Sequence, residues 1–205
     1  MTMPSCRRSG LHIVRTRRLW IVSARNDDQA RAAYMMTEPS AQRWLGWSDD
    51  DLAAIAPVPD GPVRDLRRVD DVVRPDPARL YFVGIDRASM RVAVSITVLR
   101  QGQRYEVGGA VGVDFRGRGY GQEALRAVVR LAHRHFGIRH LIAGCERANR
   151  ASQRWLRGAG FRPATGPATL TLANGREVET LWWRRSALLV RRACRWWPRP
   201  PVPQR

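Results

Sequence analysis

Arg116-Gly117-Arg118-Gly119-Tyr120-Gly121 is the stretch that decides the fold, set between RYEVGGAVGV (104–113) and QEALRAVVRLAHRHF (122–136). The run before it reads as a strand interrupted by Gly108 and Gly109, which predicts a bulge or a close backbone approach to a ligand. The run after it places Ala124, Leu125, Val128, Val129, Ala132 and Phe136 at helical spacing. Three glycines within 117–121 let the chain turn sharply and present successive N–H groups. Those donors open a helix, where the partial positive charge favours an anion. A pyrophosphate suits this chemistry, with Arg116 and Arg118 adding charge-assisted bonds. The same residues also suit a plain strand-to-helix turn. A Walker loop needs Gly-Lys-Ser/Thr, and the chain has no Lys; the register G-x-G-x-G is not the dinucleotide fingerprint G-x-G-x-x-G.

Upstream, RLWIVSA (18–24) predicts a first strand, and NDDQARAAYMM from Asn26 a helix with acids in its first turn. A short second helix is expected over 41–47. Residues 57–78, with several Pro, read as a long surface loop. LYFVGID and RVAVSITVL predict a hairpin turning at 87–90. Downstream, HLIAGC (140–145) reads as a strand and residues 150–158 as a helix. ATLTL and REVETLWW flank Ala173-Asn174-Gly175, a hairpin signal. The order of elements gives a mixed α/β, or α+β, architecture.

The 205 residues suit one domain with tails, and a hydrophobic share of 44% excludes wholesale disorder. No apolar run approaches the roughly 20 residues of a membrane-spanning helix. All 36 basic residues are Arg, against 18 acids. Residues 1–100 carry 16 Arg and 12 acids, a net +4, whereas 101–205 carry 20 Arg and 6 acids, a net +14. That field attracts polyanions, although the lack of any Lys is equally the mark of a compositional bias. Cys6, Cys145 and Cys194 show no metal or disulfide spacing, so no metal is expected and the pattern fits a reducing, cytoplasmic setting. Residues 1–10 are expected to be a disordered start, 11–185 the folded domain, and 186–205 a basic Arg/Trp/Pro-rich tail. That tail, with Trp196 and Trp197, suits weak association with nucleic acid or an anionic membrane.

Together these motifs resemble the GNAT acetyltransferase superfamily, and more closely its ribosomal-protein N-terminal acetyltransferase branch. Residues 116–121 match the superfamily's Q/R-x-x-G-x-G/A loop. Glu106-Val107-Gly108 resembles the branch's E-I-G strand, Gly121 to Leu125 its helix opening, and Asn149-Arg150-Ala151-Ser152 with Gly160-Phe161 its N-x-x-S…G-F ending. The resemblance implies a twisted, mainly antiparallel sheet that splays between the strand ending near Val113 and the one ending near Cys145. It implies acetyl-CoA in that cleft, with backbone groups near Val111 and Val113 beside the pantetheine and the pyrophosphate on Arg116, Gly117, Arg118, Gly119, Tyr120 and Gly121. The activity implied is acetyl transfer to a primary amine, either a protein N-terminus or a small molecule. The other class is a basic ribosome- or RNA-associated module that keeps the fold with weak or no catalysis.

Asn149 suits a helix N-cap and, by the resemblance, a contact to pantetheine; both can hold. Ser152 is a candidate proton donor to the departing thiolate, or makes a local backbone bond. The Tyr that many superfamily members carry on this helix is missing, and Trp155 stands nearby. Glu106, on the cleft strand, is the candidate base because burial would raise its pKa; Glu146 is the second candidate. Glu123 is expected to serve the helix dipole. His133 and His135 read as surface residues and Cys145 as a small core residue. Trp44 and Trp47 are expected to wall an acceptor pocket or to pack in the core.

Overall fold

The computed structural model describes residues 5–6, 11–59, 61–66 and 78–188. Two short strands, β1 (Ser5–Cys6) and β2 (His12–Arg15), lead into β3 (Leu19–Ser23). Helices α1 (Asn26–Met36), α2 (Pro39–Leu45) and α3 (Asp49–Ala53) follow. A meander of β4 (Arg79–Asp86), β5 (Val92–Gln101) and β6 (Arg104–Val111) comes next. A single 3₁₀ turn (Val113–Phe115) then precedes α4 (Tyr120–Arg134), β7 (His140–Glu146) and α5 (Arg150–Gly158). The described chain ends with β8 (Arg162–Ala164), β9 (Thr169–Thr171) and β10 (Glu177–Ser186). This is a mixed α+β fold built on one open sheet ordered β1-β2-β3-β4-β5-β6-β7-β10-β8, with β9 on β10. Every pairing is antiparallel except β6 with β7.

Alternation along the strands sends apolar side chains to both faces. On one face Ile21, Val94, Ile96, Val98 and Val107 meet Ala124, Leu125, Val128 and Ala132 of α4. On the other, Val22, Val83 and Ile85 pack with Ala32 of α1 and with Val63 of the long loop. α1 is anchored by a buried ion pair: Arg25 Nε lies 2.7 Å from Asp28 Oδ2, and Asp28 also accepts the Arg25 backbone N–H. α3, which hydrophobic periodicity does not signal, is a Ser48/Asp51 capping box on an acidic turn.

Several expectations change. Ser5–Cys6 pair with β2, inside the stretch expected to be ragged; the remainder of 1–10 and the tail beyond Leu188, with Trp196 and Trp197, lie outside the described residues. Gly108 and Gly109 produce no register shift, since β5 and β6 pair continuously from Val94↔Val111 to Gln101↔Arg104. A Cβ on Gly109 would sit 2.2 Å from the Ser95 carbonyl oxygen, so the close approach is to the neighbouring strand and not to a ligand. The irregularity lies instead between Gly84 and Ile85. The final hairpin closes through a three-residue loop: Leu172 N–H donates to Arg176 O, and Gly175 takes φ +82°.

His133 and His135 are both buried, not on the surface. They occupy the last turn of α4, where the chain bends back against β2. The His12 and His135 rings meet edge-on at 4.9 Å, and His133 Nδ1 donates 2.7 Å to the Ile138 carbonyl. A two-residue separation does place them on different faces, but the sheet and the turn after the helix cover both.

Candidate active site

β6 has two edges, and the hydrogen-bond phase decides what each can bind. Gly112 N–H donates 2.9 Å to Ala93 O. In an antiparallel ladder, peptide groups alternate between facing the partner and facing away. Glu106, Gly108 and Ala110 therefore direct their peptide groups at β5, while Tyr105, Val107, Gly109 and Val111 direct theirs away from it. β7 takes up that second edge only at Tyr105↔Leu141 and Glu106↔Ile142. Beyond this point the strands part. The Val107 carbonyl, both peptide groups of Gly109 and the Val111 N–H are left on a strand edge facing a wedge-shaped cleft, and an extended, amide-bearing ligand can bond there as a short strand would.

The wide end of the wedge is closed by the glycine turn. Gly117 and Gly119 have φ of +71° and +81°, and Gly119 is the N-cap of α4. The left-handed conformation suits residues without a Cβ. A Cβ on Gly121 would lie 2.7 Å from Val111 Cγ2 and 3.2 Å from Trp155 Nε1. Gly121 therefore lets the first turn of α4 pack directly on the end of β6 and on α5. The exposed amides of this turn sit where the helix dipole and the unsatisfied N–H groups both favour an anion.

The side chains of the turn behave differently from one another. Tyr120 is buried, with its hydroxyl donating 2.9 Å to Asp86 Oδ1, so only its backbone faces the turn. Burial and that bond push its phenol pKa up. Arg116 is drawn away from the helix end. Its Nε donates 2.9 Å to the Val111 carbonyl, one guanidinium N–H lies 3.2 Å from Glu38 Oε2, and another reaches Ser40 Oγ. It ties the end of β6 to the cap of α2. Arg118 remains exposed, lying 5.5 Å over the Tyr120 ring. Val113 lies past the end of β6, in the 3₁₀ turn, and is 57% exposed.

Residues of the opposite wall come from β7 and α5. Asn149 is buried and accepts the Ser152 backbone N–H at 3.0 Å, the N-cap expected of it. Ser152 is half-buried in the first turn of α5. Trp155, one turn on, donates 2.6 Å from Nε1 to the Gly121 carbonyl. It thereby bridges α5 to the glycine turn, a link that sequence patterning does not reveal because indole donors carry no spacing signature.

Glu106 alternates with Val107, so its side chain leaves the α4 face and joins that of α1 and α2. The face is the same as that of its neighbour Ile142 and hence of Gly144 and Glu146. Burial pushes the Glu106 carboxyl above its ordinary value, partly offset by the Gly144 N–H that it accepts. Trp182 stands opposite Gly144, and the missing Cβ there lets the indole ring lie on β7. Glu146 is held by Arg176 at 3.0 Å, and Arg176 donates onward to the Arg43 carbonyl at 2.5 Å. Asn174 N–H also bonds Gly46 O at 2.9 Å, so the last hairpin grips the C-terminal end of α2. Trp44 and Trp47 flank that junction, half-buried. Cys145 packs against the α4-side core, and burial raises its thiol pKa, which suits a packing residue.

Glu123 does more than complement the helix dipole. It accepts Thr16 Oγ1 at 2.6 Å, Arg18 N at 2.7 Å and Arg18 Nε at 2.9 Å, locking α4 to the β2–β3 turn. Burial pushes its carboxyl up, but these bonds outweigh it and hold the pKa low. Among the described residues no cluster of His, Cys, Asp and Glu could hold a metal ion, and no helix is long and apolar enough to cross a membrane.

The acetyltransferase (GNAT) domain family matches residues 18–162. Solved structures share the fold at low identity. An acetyltransferase of the GNAT family from Bacillus anthracis is 15% identical over 85% of this chain and 98% of its own, with a TM-score of 0.61. The ribosomal-protein-S5-alanine acetyltransferase from Vibrio fischeri is 12% identical over 91% and 99%, with a TM-score of 0.59. The spermidine N-acetyltransferase from Vibrio cholerae, in complex with CoA and spermine, is 11% identical over 83% and 96%, with a TM-score of 0.62. No curated protein sequence matches the chain.

Proposed function

Because the chain belongs to the GNAT acetyltransferase family, matched over residues 18–162, we propose that it transfers an acetyl group from acetyl-CoA to a primary amine by direct attack in a ternary complex. The observation that carries this reading is the parting of β6 from β7 after Glu106, which leaves one peptide edge open beside a helix N-terminus. Pantetheine amides suit the edge at Val107, Gly109 and Val111. The amides of residues 117–121 suit the pyrophosphate, with Arg118 on the turn and Arg18 beside it, donating to the Arg118 carbonyl at 2.5 Å. Arg116 serves that loop by holding the end of β6 to α2. Val113, in the 3₁₀ turn past the end of β6, is taken to border the pantetheine, and Asn149, at the head of α5, to contact it.

The acceptor enters on the α1–α2 face, between those helices and the last hairpin. Its nitrogen attacks the thioester carbonyl while a backbone N–H of the β6 edge stabilises the developing oxyanion. The C–S bond breaks, the thiolate takes a proton, and the amine loses one. Glu106 is the base, acting directly or through one water; its raised pKa brings it nearer neutrality, where a base is most effective. Glu146 is second to it, since Arg176 already occupies its carboxylate. Ser152, or solvent, protonates the thiolate; Trp155 cannot, because its N–H is engaged by Gly121.

The acceptor is a protein N-terminal amine or a small-molecule amine; the similar Vibrio structures are those of a ribosomal-protein-S5-alanine acetyltransferase and a spermidine N-acetyltransferase. The non-catalytic RNA module is not favoured, because the family match and the open cleft both belong to an enzyme. The catalytic unit is taken to be 11–185, so cutting the chain after Arg185 should leave acetyl-CoA affinity intact. The test is CoA thiol release with acetyl-CoA and a panel of N-terminal peptides and polyamines. Acetyl-CoA binding without turnover on any amine sinks the catalytic reading, and absence of acetyl-CoA binding sinks the cleft assignment.

A further inference from the structure

On the flank of α4 that faces the β2–β3 turn lies a groove of about 710 Å³, bordered by Gly119 and Gln122 at the head of the helix and running along its outward face. Arg15, Arg17 and Arg18 line one wall, and Arg126 and Arg130 the other. The acid of the groove, Glu123, is already bound by Thr16 and by both the backbone and the side chain of Arg18. Arg126 uses its Nε on the Gly158 carbonyl at 2.8 Å, which fixes the stem and leaves the two terminal nitrogens of the guanidinium. Arg126 and Arg130 also crowd Arg185, whose own pKa burial and those two like charges lower. A concentration of guanidiniums of this kind gains from any anion that enters it.

We propose that this groove is a second anion site, taking a small ligand with two or more phosphates independently of the acetyl-CoA cleft. The two walls belong to different elements, so one carboxylate satisfies only one of them. A phosphate chain offers enough charged oxygens to engage Arg17 and Arg126 together, and guanidinium geometry favours bidentate contact to each. The volume falls within the range of small-ligand sites. No aromatic ring lines the groove, so a stacked single-stranded nucleic acid is not the fit. The elements that form the walls are pinned, by Glu123 at the floor and by the Thr16 Oγ1 to Leu19 O bond in the turn, so the site is largely preformed.

The test is titration of the full chain with inorganic tripolyphosphate, with and without saturating CoA, in wild type, Arg126→Glu and Arg17→Glu. Retained tripolyphosphate binding under saturating CoA, weakened at least tenfold by each charge reversal while CoA affinity stays unchanged, supports the proposal. Competition between tripolyphosphate and CoA overturns it, because the anion then goes to the 117–121 turn. Binding that neither reversal alters, or duplex RNA or an acidic peptide bound where tripolyphosphate is not, overturns it too. If CoA itself fails to bind, the cleft assignment fails, and the effect of the two reversals on tripolyphosphate still decides this proposal.

Discussion

Trp155 Nε1 donates 2.6 Å to the Gly121 carbonyl, so the helix that carries Asn149 and Ser152 is fastened to the glycine turn at the head of α4. The two walls of the wedge meet at this bond, and Val111 packs beside it. Replacing Trp155 with Phe keeps a ring and removes the donor. The expected result is roughly tenfold weaker acetyl-CoA binding, equivalent to about 1.4 kcal/mol, with little change in turnover at saturation. Calorimetric titration and steady-state kinetics together check this; a change confined to kcat assigns Trp155 to chemistry and not to positioning.

Gly119→Asp separates anion binding from folding. Asp tolerates the left-handed conformation better than most residues, so the variant should fold, with a modest loss of thermal stability. Its charge then stands at the end of α4, where a pyrophosphate would lie. Acetyl-CoA affinity should fall at least ~10-fold, about 1.4 kcal/mol. Unchanged affinity in a folded variant removes the phosphate role from the turn.

Glu106→Gln keeps the acceptor for the Gly144 N–H and abolishes basicity. Turnover at neutral pH should drop roughly 10²-fold, in line with general-base contributions. The deficit should narrow as pH rises and free amine accumulates. Because burial raises the folded-state pKa, the carboxylate's stability contribution is present below the unfolded pKa and is lost as pH rises through the folded one. At neutral pH the Gln variant should therefore melt no lower than wild type. Superimposable pH–rate profiles make Glu106 structural; a large fall in melting temperature points the same way.

His133 and His135 set the acid limit. Burial lowers both pKa values, and the Nε2 atoms of both rings lack partners among the described residues. A depressed folded-state pKa gives stability that is complete above the ordinary value of about 6.5 and is lost as pH falls through the lowered one. His135→Phe keeps the edge-on contact with His12 and removes the titrating group. Its melting temperature should decline less than that of wild type between pH 7 and pH 5. Parallel curves for the two proteins exclude this source of acid sensitivity.

The sequence by itself determined the elements whose signals are local. The glycine turn, the amphipathic run of α4, the Asn149 cap and the Asn-Gly hairpin each rest on residues close in the chain, where backbone dihedrals and side-chain period act directly. Family membership was legible for the same reason: 116–121, 106–108 and 149–161 are short runs in a fixed order. Tertiary structure alone decided what those residues face. Arg116 has the sequence context of a phosphate ligand but is captured by Glu38, 78 residues away. Gly109 makes room for the Ser95 carbonyl, and two histidines with a surface pattern are sealed by β2 and the turn after α4. β2 and β8 join the sheet as short pieces, because partners already in place supply the hydrogen bonds that so few residues cannot supply for themselves. Long-range pairing carries no period along the chain, so the direction of a guanidinium and the burial of an imidazole become readable only once strands distant in sequence lie side by side.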